Sequence, residues 1–260
     1  MAILENWDEE KLKRLKKQLL FALGSFLFYC ILGWKVAVLI TIGVAFHETG
    51  HIWAAHRMGL KTKGFYLIPL LGGAAIIDDA YDTYWKQAFT VLMGPIWGGT
   101  LAFGCGLMYW LTGSMAWAGA AQWLAWMNMF NLLPLAFLDG GQILDTVTYS
   151  FSRRVGLICR TVSIAVAVPV VWTFNPVISA LIAFSSFFSL QSEYKNYQLF
   201  QAGHLYKTDE EYRNKPKALN KSQLTITLVT YVIALVSLFW LSTTMHSVGS
   251  GDWLSMIRPK

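Results

Sequence analysis

Long apolar runs dominate this chain, and their length decides what it can become. Seven stretches approach the roughly twenty residues that a helix needs to cross a bilayer. They cover about 18–34, 36–56, 85–111, 115–137, 155–173, 177–192 and 223–245. Hydrophobic residues make up 55% of the chain and charged residues 14%, at a mean hydropathy of +0.43, far from the balance of a water-soluble domain. The expected fold is an all-α polytopic membrane protein with six to seven transmembrane helices. The first run follows "EEKLKRLKKQ" with no small-residue cleavage pattern before the next one, so it reads as a retained span and not a signal peptide. The expected organisation is a basic cytoplasmic N-terminus (1–17), a membrane domain (18–192), a polar cytoplasmic loop (193–222), a last transmembrane helix (223–245) and an external tail (246–260).

Orientation follows from the basic residues. Lys11, Lys13, Arg14, Lys16 and Lys17 precede the first run, Arg57, Lys61 and Lys63 follow the second, and Arg153, Arg154, Lys195, Lys207, Arg213, Lys215 and Lys217 fall in later inside segments. By the positive-inside rule the N-terminus is cytoplasmic and the C-terminus external. The net charge of +6 therefore describes topology. Basic residues that flank spans anchor at anionic headgroups, so the expected partner is the lipid bilayer and not nucleic acid. A short chain without a targeting sequence fits a plasma (inner) membrane. Cys30, Cys105 and Cys159 all lie within spans and lack C-x-x-C spacing, which argues against disulfides or a thiolate metal site.

One apolar segment is too short to span. "GFYLIPLLGGAAII" (64–77) has fourteen residues and contains Pro69 and the Gly72-Gly73 pair, which break a helix and suit a tight turn between extended pieces. It reads as a short re-entrant β-hairpin. Backbone of that kind is tolerated at membrane depth only beside protein or a watery cavity.

Within the second run, "GVAFHETGHIWAAHRMG" (43–59) sets two histidines and a glutamate among apolar residues. His47 and His51 are four apart, about 40° around a helix, so both imidazoles can reach one metal ion. With Glu48 they form H-E-x-x-H, in which the histidines hold zinc and the glutamate takes a proton from the metal-bound water. Ionisable groups inside an apolar span are costly without a partner, which favours function over packing. A catalytic zinc ion usually takes a third protein ligand. His56 is misplaced for the longer histidine motif and suits the cytoplasmic end of its helix. Asp78, Asp79 and Asp82 read as a solvated connection, which leaves Asp139 and Asp145. Asp139 ends a long apolar run in "NMFNLLPLAFLDGGQIL", where Pro134 loosens the helix, Gly140 and Gly141 permit close approach, and the acid needs a cationic partner.

These residues resemble the site-2 protease family of intramembrane metalloproteases. The likeness rests on His47-Glu48-Thr49-Gly50-His51, on Asn131-Leu132-Leu133-Pro134 followed by Asp139-Gly140, and more weakly on "LLGGA" (70–74) and "MGP" (93–95). It covers about 36–145, the three-helix catalytic core of that family. No PDZ insertion or nucleotide-sensing domain is evident, so the expectation is a compact member. The resemblance implies one Zn2+ ion held by His47, His51 and Asp139, with Glu48 as general base. It also implies a membrane-spanning substrate protein cleaved within its own helix, on the cytoplasmic side. Asn131 is expected to bind the substrate backbone or the developing oxyanion. Gly72, Gly73 and Pro134 join it as substrate-binding residues, the 64–77 segment offering an edge to which an unwound substrate adds as a strand. The alternative is a noncatalytic metal-binding membrane protein or transporter. A transporter would show inverted repeats, which are not seen, and a noncatalytic relative would have lost Glu48.

Overall fold

The computed structural model describes residues 9–68, 72–135, 138–174, 176–201 and 216–248. Helix α1 (Glu9–Tyr29) starts inside the basic segment, well ahead of position 18, because its Lys, Leu and Gln residues are good helix formers. A 3-10 turn (Cys30–Leu32) and Gly33 at φ 103 separate it from α2 (Trp34–Arg57). Gly59, in the left-handed region at φ 76, closes α2. There the Gly59 N–H donates to the His56 carbonyl at 3.0 Å and the Leu60 N–H to that of Ala55 at 2.9 Å, which turns the chain into a strand.

The 64–77 segment is a β-hairpin as expected, but its glycine pair is not the turn. Strands β1 (Thr62–Ile68) and β2 (Gly72–Ile77) pair antiparallel, with Leu67 opposite Gly73, Phe65 opposite Ala75 and a bulge between Thr62 and Gly64. Gly72 and Gly73 therefore begin β2, while 69–71, Pro69 among them, lie outside the described residues. Helix α1 packs along β1. Its Gln18 amide donates to the Lys63 carbonyl at 3.0 Å, its Ser25 hydroxyl to the Leu67 carbonyl at 2.9 Å, and its Phe21 ring meets Tyr66 edge-on.

The remaining helices are α3 (Tyr84–Thr112), α4 (Met115–Asn131), α5 (Asp139–Phe151), α6 (Arg153–Phe174), α7 (Pro176–Gln201) and α8 (Lys221–Val248). The expected span 115–137 stops early, at Asn131. Pro134 has no N–H to continue the ladder and disfavours helical geometry at Leu133. The chain folds back instead, the Leu135 N–H donating to the Leu133 carbonyl at 2.7 Å. Hydropathy alone missed α5, whose first turns mix Asp139, Gln142 and Asp145 with apolar residues. The expected loop 193–222 is helical as far as Gln201, and 202–215 lie outside the described residues, as do 249–260 of the external tail.

Among the described residues, four helices are long and apolar enough to cross a membrane: Trp34–Arg57, Tyr84–Thr112, Arg153–Thr173 and Lys221–Val248. Ile31, Leu111 and Val177 are 81%, 71% and 70% exposed, an outward apolar surface suited to lipid. The chain forms two compact units. One comprises Met1–Asp78, Ile96–Trp126 and Phe239–Lys260, and the other Asp79–Pro95 and Met127–Leu238.

In the second unit α5 packs on α6 and α6 on α7. Arg160 of α6 stands 3.7 Å from the Asp145 carboxylate of α5 and donates to the Ser189 hydroxyl of α7 at 3.0 Å. Asp145 thus has a cation of its own, which weighs against it as a metal ligand. Arg160→Leu leaves that carboxylate uncompensated among apolar helices and should destabilise the protein by about 3 kcal/mol. Arg160→Leu combined with Asp145→Leu should recover most of the loss, as read by thermal unfolding in detergent.

Candidate metal centre

Helix α2 carries the histidine pair. Its buried residues include Ala37, Gly43, Gly50, Ala54 and Ala55, small side chains that let neighbouring backbone come close. His47, Glu48 and His51 are buried in the same helix. The Nε2 atoms of His47 and His51 converge to 3.1 Å, with the rings edge to face at 4.8 Å between centroids. Two nitrogens bound to one tetrahedral zinc ion stand about 3.3 Å apart at ordinary bond lengths, a spacing that the pair comes close to. Trp97 of α3 lies between Phe46 and Trp53, with ring centroids at 5.5 and 5.6 Å, and fixes the rotation of this part of α2. His56 sits in the last turn of α2, where its Nε2 meets the Thr62 hydroxyl at 2.8 Å, in keeping with a role at the helix end.

Strand β2 passes directly over Glu48. A methyl group added at Gly73 would overlap Cγ, Cδ and Oε1 of Glu48. The glycine is therefore required for close approach, a role that its sequence position alone did not show.

In the second unit, Asp139 is the first residue of α5 and is 8% exposed. A carboxylate in the first helical turn is favoured by the partial positive charge of the helix N-terminus. Gly140 and Gly141 are also buried. A methyl at Gly140 would overlap the carbonyl groups of Leu132 and Leu133, so α5 can start where it does only with glycine there. Asn131 closes α4 half-buried, Pro134 is exposed, and Asn128, one turn earlier, is fully buried. Tyr81, which sequence reasoning passed over, has its phenol pushed up to about 12 by burial and by the nearby Asp139 charge, with a hydrogen bond to Thr90 acting the other way. It is a neutral hydroxyl at physiological pH. Two acids of the 78–82 connection are engaged at the surface: Asp78 pairs with Lys63, and Asp82 with Lys86 at 3.0 Å. The hydrogen bond from Lys86 holds the Asp82 carboxyl below its ordinary range.

His47 and His51 of the first unit carry buried imidazole nitrogens, and Asp139 of the second a buried carboxylate. Imidazole nitrogens and a carboxylate oxygen are donors of the kind found at catalytic zinc.

Comparison with known proteins agrees with this chemistry. Residues 35–115 match the profile of peptidase family M50, a segment that includes His47, Glu48 and His51 and ends before Asn131. A protein of Synechocystis sp. (strain PCC 6803), provisionally named a zinc metalloprotease, is 27% identical over 127 residues. That alignment covers 47% of this chain and 33% of the relative, so the chain spans about a third of the protein it matches. Over residues 35–115 the chain is thus similar to peptidase family M50. Zinc is the metal that this family implies.

Two single-methyl substitutions test the surroundings of Glu48 and of Asp139 separately. Gly73→Ala should displace Glu48 and leave metal content unchanged, whereas Gly140→Ala should push α5 off the Leu132 carbonyl and lower it. Elemental analysis of both purified variants checks this.

Proposed function

We propose that this chain is an intramembrane zinc metalloendopeptidase, which hydrolyses peptide bonds within or near the transmembrane segments of membrane-anchored proteins. The observation that supports this most is Glu48, buried beside the His47 and His51 chelate in an apolar helix. An acid in such a place is expensive to keep and serves no packing purpose. When bound, zinc supplies Lewis acidity toward water and toward the scissile carbonyl. His47, His51 and Asp139 hold it. Glu48 takes the proton of the attacking water and returns it to the leaving amine. Asn131 hydrogen-bonds the substrate backbone or the developing oxyanion. Helices α1, α4 and α7 also traverse the bilayer, with the N-terminus in the cytoplasm and the site toward that side, as the basic residues require.

Glu48→Gln should keep zinc and lose cleavage of single-span substrates by about a hundredfold or more, the ligands surviving while the base does not. Asp139→Ala should lower zinc occupancy instead. Loss of zinc in Glu48→Gln would make Glu48 a ligand, full cleavage without Glu48 would remove it as the base, and no cleavage by the zinc-loaded wild type would favour the noncatalytic reading.

A helical peptide bond must be extended before a fixed site can hydrolyse it. The hairpin offers an edge for this, and α1 bears on which one. The carbonyls of Lys63 and Leu67 are taken by Gln18 and Ser25, so the outer edge of β1 is occupied. In an antiparallel pair with Leu67 facing outward, the opposite residues Gly73 and Ala75 face outward on β2. We assign substrate addition to β2, which lies against Glu48. Ala75→Pro removes one outward N–H and no ladder bond, and should cut cleavage of helical substrates, with partial rescue when the substrate carries Gly or Pro near the scissile bond. A zinc-loaded variant that cleaves at the wild-type rate excludes this mode of binding.

A further inference from the structure

The turn between α4 and α5 leads into Asp139, and its main chain is held by helices outside the motif that defines it. Its own N–H groups are used locally: Leu132 to the Asn128 and Met129 carbonyls, Leu133 to Phe130, Leu135 to Leu133, and Leu138 to Leu135. Two carbonyls point away from this ladder and are claimed from a distance in sequence. The Tyr231 hydroxyl of α8 donates to the Leu132 carbonyl at 2.5 Å, and the Ser163 hydroxyl of α6 donates to the Pro134 carbonyl at 2.8 Å. Leu132 is fully buried, so its carbonyl has no water to turn to.

The same Leu132 carbonyl is the group that Gly140 packs against, with no room for a methyl between them. Gly140 is the residue after Asp139. The Leu132 carbonyl therefore has Tyr231 on it as donor and the first turn of α5 as neighbour, so moving it moves the backbone that carries Asp139. No side chain caps α5, since Leu138, extended at φ −104 and ψ 166, precedes it. The position of Asp139 along its helix axis is thus set by contact with this turn and not by a local cap.

We infer that Tyr231 and Ser163 are positioning residues that fix Asp139 through the Leu132–Pro134 turn. Helix α8 and helix α6, which the family motifs do not include, thereby act on the metal affinity of the centre. The inference rests on the reading of Asp139 as a zinc ligand. Groups that orient a ligand typically change metal affinity by 10- to 100-fold when removed.

Zinc affinity of the full-length protein in detergent, measured by competition with a chromophoric chelator, tests this without recourse to activity. Tyr231→Phe keeps the ring and removes only the donor. It should weaken zinc binding about 10-fold or more, and Ser163→Ala should act in the same direction. In an Asp139→Ala background neither substitution should weaken binding further, because each acts through the residue already removed. Unchanged affinity in the folded single variants overturns the inference, and so does an equal loss in both backgrounds, which would mark general destabilisation. Ser163→Ala decides alone if Tyr231→Phe does not fold. If Asp139→Ala itself binds zinc as the wild type does, the ligand assignment is what fails, and the positioning role falls with it.

Discussion

Four ionisable side chains, His47, Glu48, His51 and Asp139, are buried in a chain built otherwise for hydrocarbon. Each is costly there unless something of opposite character meets it. Much of the local architecture follows from that need. The small residues on α2 let other backbone approach the histidines, Gly73 allows β2 to lie on Glu48, and Gly140 lets α5 begin with its carboxylate at the positive end of the helix. Arg160 shows the same rule where no metal is called for, since Asp145 is met by a guanidinium.

A second demand comes from the main chain. Irregular backbone in a membrane protein must have its polar groups satisfied by protein. The hairpin and the turn after α4 are irregular pieces, and both borrow donors from flanking helices. Gln18 and Ser25 of α1 serve β1, while Ser163 of α6 and Tyr231 of α8 serve the turn. Flanking helices that look like plain hydrophobic filler in sequence therefore have specific work at the level of single hydroxyl and amide groups. This gives a physical reason for a core with two short motifs to sit inside a longer chain.

The family comparison bears on the first motif only. The matched segment contains the histidine pair and Glu48 and stops before Asn131, Pro134 and Asp139. For the second motif the argument is physical: a buried acid at the start of a helix, and glycine where no side chain fits.

Sequence alone determined the membrane character, the helix with both histidines on one face, and the short extended segment. These depend on run length and on periodicity, which are local properties. It also pointed to Asp139, because an acid in an apolar run is conspicuous wherever the chain goes. It did not reveal that α4 stops at Asn131 and α5 begins anew at Asp139, since hydropathy registers no break where Pro134 forces one. It misread Gly72 and Gly73 as a turn, because a glycine needed for close contact and one needed for a bend look alike in sequence. Tertiary structure alone decided that Glu48 lies under β2, that the outer edge of β1 is covered by α1, and that Tyr231, 99 residues from Leu132, holds the turn before Asp139. Contacts of that kind follow from which surfaces meet in space, and no local pattern in the chain encodes them.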